Sequence, residues 1–203
     1  MWKAFRYAVV AGALFALSPQ AQAATPADTL VIAKQIDDLI SLDPAEAYEL
    51  SGLEVLANAY DRIMRFEPTD VTKLVGGVAE SVTVSADGKT FTFKIRPGQT
   101  FASGNPVTAG DAAFSLQRVI KLQKTPVFLL TQLGWTADNV DTMVTAPDDA
   151  TLVATIGVDF APSLVYALLG SGVGSVVDMK TVMEHEADGD MGNAWLKTNS
   201  SAP

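Results

Sequence analysis

The chain contains no cysteine and a single histidine in 203 residues. Zero cysteine excludes disulfides, thiol nucleophiles, thiolate metal sites and dithiol redox chemistry. One histidine, His185, removes the paired-histidine zinc signatures and narrows the choice of general base. Positive charge is also scarce: 14 Lys and Arg stand against 23 Asp and Glu. So acidic a balance argues against nucleic acid, which recruits a basic patch. Long apolar runs are missing too. The longest, residues 8–17 (AVVAGALFAL), has ten residues, half of the ~20 that a spanning helix needs.

That run has a recognisable context. Lys3 and Arg6 precede it, and Ala21-Gln22-Ala23 follows it. A positive start, a short apolar core and an A-x-A end describe a secretory signal peptide. Cleavage is expected after Ala23, giving a mature chain 24–203 that does not span the membrane. Removing Lys3 and Arg6 leaves 12 basic against 23 acidic residues, or net −11. Export without cysteine means that the core buried by a mature chain of about 180 residues must hold the fold unaided. The leader suits a bacterial export signal, so the expected compartment is the periplasm.

Residues 29–34 (TLVIAK) read as a first strand, and 41–51 (SLDPAEAYELS) as a turn and loop broken by Pro44. Leu53, Leu56, Tyr60, Ile63 and Met64 recur at helical spacing, which predicts a helix over 53–64. Val82 and Val84, then Phe91, Phe93 and Ile95, alternate about Asp87-Gly88, which predicts a hairpin. Thr108 and Asp111 have capping-box spacing ahead of a helix over 109–122. A short helix is expected at 126–133. A second hairpin is expected from 140–145 and 151–156, a helix at 162–169, and a flexible bend at GSGVGS. Asp178 is placed to cap a helix at 179–186, and 193–198 forms a last turn. Hairpins mixed with helices, without regular βαβ alternation, give an α/β class of mixed α+β character.

The chemical candidates are weak. Glu184-His185-Glu186 with Asp188 and Asp190 carries possible metal ligands. HExxH is absent, however, and a calcium loop counted from Asp188 puts Asn199 where a bidentate Glu is required. No G-x-S-x-G occurs. Gly170-Ser-Gly-Val-Gly174 lacks both GxGxxG spacing and a P-loop lysine. Adjacent acids at Asp37-Asp38 and Asp148-Asp149 diverge in strand or turn, so they are poor acid/base partners. No catalytic residue, metal or cofactor is expected, and a secreted hydrolase is the minor alternative.

The run 85–118, SADGKTFTFKIRPGQTFASGNPVTAGDAAFSLQR, resembles the signature of the family 5 extracellular solute-binding proteins, the peptide- and nickel-binding receptors of ABC importers. The matching positions are Asp87-Gly88, Thr90 to Phe93, Arg96, Gly98, Phe101, Gly104, Pro106 to Asp111, and Phe114-Ser115. Ser41-Leu42-Asp43-Pro44, Asn58-Ala59-Tyr60-Asp61 and the closing MGNAWLKTNSSAP agree with it. Ser103 departs from the acid or histidine common there. The resemblance implies a periplasmic binding protein type II-like fold. Of that fold, 24–203 would form the N-terminal lobe portion, with a mixed sheet, β-hairpins and flanking helices, truncated before the second lobe. It implies a peptide ligand held between two lobes, with delivery to a membrane permease served by ATPase subunits. Nickel complexes, opines or oligosaccharides are alternative ligands within the family. It places ligand contacts at Tyr48, Glu49, Leu50 and Ser51 in the loop after Pro44, and at Val127, Phe128 and Leu130 after Pro126. The signature itself is expected to be scaffold, and the protein a monomer.

Overall fold

The structure, a computed structural model, describes residues 25–202. The expected signal peptide, 1–23, lies outside the described residues. The chain divides into two compact units, Met1–Gln35 and Ile36–Pro203. In the first, described residues 25–35 contain turns but no helix or strand. The strand expected at 29–34 is therefore not formed, and Leu30, Val31 and Ile32 are exposed. An apolar run becomes a strand by joining a ladder, and no described strand pairs with this one.

The second unit holds all the described helices and strands. Its main sheet has the order β3-β4-β6-β5, built from β3 (Ala79–Val84), β4 (Thr90–Ile95), β5 (Val144–Asp148) and β6 (Thr151–Thr155). Two hairpins lie side by side, with β4 paired to β6. A second sheet pairs β1 (Met64–Glu67) with β2 (Asp70–Gly76). The expected mixed sheet is, among the described residues, antiparallel throughout. Pro147 sits in β5, an edge strand, where its missing N–H breaks no interior ladder.

Alternation on β4 decides which face is buried. Phe91, Phe93 and Ile95 point into the core while Thr92 and Lys94 point away. Across the ladder Phe91 faces Ala154 and Phe93 faces Leu152. Each fully buried phenylalanine contributes about 1.5–3 kcal/mol. Helix α1 (Leu50–Ala59) precedes β1, and α2 (Ala109–Leu122) packs on the sheet beside β5 and β6. The N-terminus of α2 carries the anticipated capping box. Thr108 Oγ1 accepts from Asp111 N, and Asp111 Oδ2 accepts from Thr108 N at 2.9 Å. Then follow α3 (Val127–Thr131), α4 (Val140–Met143), α5 (Pro162–Leu169), α6 (Met179–Glu184) and α7 (Asn193–Leu196). Trp135 fills the core and donates its indole N–H to the Thr155 carbonyl at 2.6 Å.

Three expectations need correction. The helix over 53–64 ends at Ala59, because Tyr60 turns extended and Ile63 and Met64 enter the strand region. The β1–β2 hairpin was unforeseen; most of its residues are exposed, so it carries no burial alternation to read. The second hairpin begins only at Val144, since 140–143 close a helical turn. The GSGVGS segment is a packed turn in place of an open bend. Gly172–Gly174 is a buried 3-10 turn, and a Cβ on Gly174 would lie 2.0 Å from the Leu169 carbonyl oxygen.

The last segment is tied to the signature. Ser115 Oγ accepts from Val177 N at 2.9 Å, and Asp111 Oδ1 accepts from Met179 N at 3.0 Å. Asp178 caps α6 through Thr181 N and also accepts from Ser103 Oγ at 2.6 Å and Asn105 Nδ2 at 2.9 Å. Burial pushes the Asp178 pKa up, but the hydrogen bonds from Ser103, Thr181 and Asn105 outweigh it and hold the carboxyl below its ordinary value. A depressed folded pKa contributes stability that is complete above the unfolded value and is lost as pH falls through the folded one. Asp178→Ala is therefore expected to cost at least about 1 kcal/mol at neutral pH and to flatten the acid limb of a stability–pH curve. An unchanged acid limb in urea melts at stepped pH would refute this role.

Candidate functional site: an apolar cleft behind a buried ion pair

The loop 43–49 is held from inside. Arg118, on α2, donates to both oxygens of Asp43: Nη1 to Oδ1 at 2.5 Å and Nη2 to Oδ2 at 2.6 Å. Both side chains are essentially inaccessible, at 1% and 0% exposure. The remaining valences are also used. Arg118 Nε donates to the Met191 carbonyl, and Asn193 Nδ2 donates to Asp43 Oδ2. Asp43 Oδ1 accepts from Ala45 N, and the Asp43 carbonyl accepts from Glu46 N and Ala47 N. One residue thus organises the turn that delivers Tyr48 to the surface.

Tyr48 overlooks a cleft of about 370 Å³ lined by Ala47, Leu53, Arg62, Pro126, Leu129 and the 171–173 turn. Gly172 is part of its floor, where a Cβ would come within 2.9 Å of Leu53 Cδ2. Arg62 is the one charged residue in this apolar lining. Its Nη1 donates to the Gly170 carbonyl at 3.0 Å, while its Nε is buried and has no hydrogen-bond partner. Burial lowers the guanidinium pKa from its ordinary value.

The expected contact residues separate into two groups. Tyr48 and Phe128 are exposed and meet edge to face, with centroids 5.2 Å apart at 85°. Leu50 is exposed at the start of α1. Glu49, preceding it, accepts from Tyr48 N. Ser51 is buried, with its N–H donated to Asp38. Leu130 is wholly buried in the core, and Val127 and Leu129 are both partly buried against it, so Phe128 is the exposed one of these four and Leu129 reaches the cleft from the core's edge. Positions 127 and 130 share a helix face at i,i+3, a spacing that could have separated core from cleft. Leu53, Arg62, Pro126 and Leu129 were not anticipated, because nothing in their local sequence marks them.

No group of three or more His, Cys, Asp or Glu suited to a metal occurs among the described residues. His185 instead stacks on Trp195, centroids 4.2 Å apart. No described helix is long and apolar enough to cross a membrane.

Residues 73–199 match the sequence model of the "Bacterial extracellular solute-binding proteins, family 5 Middle". The chain belongs to this family. It is 32% identical over 203 residues to the Escherichia coli K12 protein named "Probable D,D-dipeptide-binding periplasmic protein DdpA", covering 98% of this chain and 37% of DdpA. It is 30% identical over 148 residues to the dipeptide-binding protein DppE of Bacillus subtilis 168, covering 66% of this chain and 26% of DppE. The substrate-binding domain of an oligopeptide ABC transporter from Bacillus anthracis superposes with a TM-score of 0.65 at 25% identity, over 73% of this chain and 30% of that one. This family 5 chain thus spans little more than a third of DdpA's length. The family is one of solute binders.

The ring contact is the cleft feature most open to measurement. A double-mutant cycle on Tyr48→Ala and Phe128→Ala should return a coupling of about 0.5–1.5 kcal/mol in unfolding free energy. Additive losses would mean that the two rings do not hold each other.

Proposed function

We propose that this chain builds one wall of the peptide-binding cleft in a periplasmic receptor of an ABC importer. The observation that carries the reading is the meeting of two distant segments. The loop after Pro44 and the helix after Pro126 come together as Tyr48 against Phe128, and Tyr48, Pro126 and Leu129 line one apolar cleft. The relatives named for dipeptide binding support the ligand class, and DdpA, named as a periplasmic protein, supports the periplasm.

A cleft of this kind does no chemistry. Aromatic and aliphatic walls exclude water from a short ligand, and main-chain hydrogen bonds would supply affinity with little side-chain choice. The second wall would come from protein following residue 203, in keeping with the 37% of DdpA that the chain covers. Hinge closure of two lobes would then present the loaded receptor, a monomer, to the permease, and the ATPase subunits would drive transport. Signature residues such as Thr108, Asp111 and Ser115 serve the wall as framing.

Titration calorimetry of the product of the whole reading frame is expected to show saturable binding of dialanine and of pentaalanine. The chain 24–203 alone should bind both far more weakly, because one wall buries only part of a ligand. Silence from the peptides, together with heat from a nickel chelate, an opine or an oligosaccharide, would overturn the peptide assignment. Equal affinity in the chain alone would overturn the two-wall arrangement.

A further inference from the structure

Arg62 is only partly satisfied by its own surroundings. Its backbone is fixed on two sides: Arg62 bridges Ser175, and its carbonyl accepts from Val78 N at 2.8 Å. The side chain then runs into the cleft, where its neighbours include Tyr48, Leu53, Leu129 and Val173. A guanidinium carries five N–H donors, yet this one makes a single hydrogen bond, to Gly170, and no ion pair among the described residues. The contrast with Arg118 is direct, since that guanidinium uses Nε, Nη1 and Nη2 on three acceptor atoms. A half-buried, unpaired cation in an apolar setting is destabilising unless something anionic meets it.

We propose that Arg62 determines specificity by receiving a carboxylate of the bound ligand. The inference rests on the peptide-cleft reading for the identity of the ligand, and on Arg62 alone for its charge. A planar guanidinium meets a carboxylate through two parallel N–H···O bonds, and those bonds strengthen where water is excluded. The apolar lining supplies that exclusion, and the one cation supplies the selectivity. Every unmodified peptide brings a C-terminal carboxylate, and an acidic side chain offers the same group.

Four probes separate these sources on the product of the whole reading frame: Ala-Ala, Ala-Ala amide, Ala-Glu amide and N-acetylalanine. In the wild-type protein, Ala-Ala or Ala-Glu amide should bind about ten- to a hundredfold tighter than Ala-Ala amide. Whichever does so identifies the carboxylate. Arg62→Gln should abolish that preference, bringing the acid form to the affinity of the amide, with Arg62→Lys between the two. The Arg62 Nε–Hε resonance, followed in protein labelled with ¹⁵N-arginine, should move on titration with N-acetylalanine, and this needs no variant to fold. Movement with N-acetylalanine while every peptide stays silent would retain the carboxylate site and remove the peptide reading. Equal binding of acid and amide forms, a preference that survives Arg62→Gln, or an unmoved resonance would each overturn the proposal.

Discussion

The bidentate contact between Arg118 and Asp43 is the constraint on which the rest of the wall depends. It joins residues 75 positions apart and leaves neither charge in water. A buried pair of this kind is weak evidence of net stabilisation, since desolvation offsets much of the Coulomb attraction. Its value here is geometric. Asp43 has its side chain on α2, on Ala45 and on Asn193, while its carbonyl takes Glu46 and Ala47. These bonds hold the loop in the arrangement that puts Tyr48 over the cleft.

The same logic runs through α2. Its capped first turn gives Asp111 to Met179, its second gives Ser115 to Val177, and its third gives Arg118 to Met191 and Asp43. One helix therefore fastens the sheet on one side and the 175–193 segment on the other. Just ahead of that segment, Gly172 and Gly174 allow close packing, since a Cβ would press on the Leu53 side chain at the first and clash with the Leu169 carbonyl at the second. Asp111, Ser115 and Arg118 of the signature are thus structural fasteners, while the cleft is lined by Tyr48 and by half-buried or buried residues outside the signature.

Much of the framework was legible in the sequence because it follows local rules. The Asp87-Gly88 hairpin, the Thr108–Asp111 box, the helix at 109–122 and the Asp178 cap all combine a short-range pattern with a short-range cause. The β1–β2 hairpin was not legible, since exposed strands show no alternation. Ser51 and Leu130 were placed at the surface by their segment, although burial is decided residue by residue. Above all, the pairing of Asp43 with Arg118 and the isolation of Arg62 depend on residues far apart in the chain. Neither leaves a trace in spacing or composition.

The central claim is that the Asp43–Arg118 contact sets the cleft loop. It is tested most directly by a double-mutant cycle of Asp43→Ala and Arg118→Met, read in unfolding free energy and in amide exchange at Ala45 and Ala47. Each single change should cost about 3–5 kcal/mol, because it strands a buried charge. The double change should cost much less than the sum, and exchange should accelerate in all three variants. Additive single losses below about 1 kcal/mol, with exchange at Ala45 and Ala47 unaltered, would contradict the account.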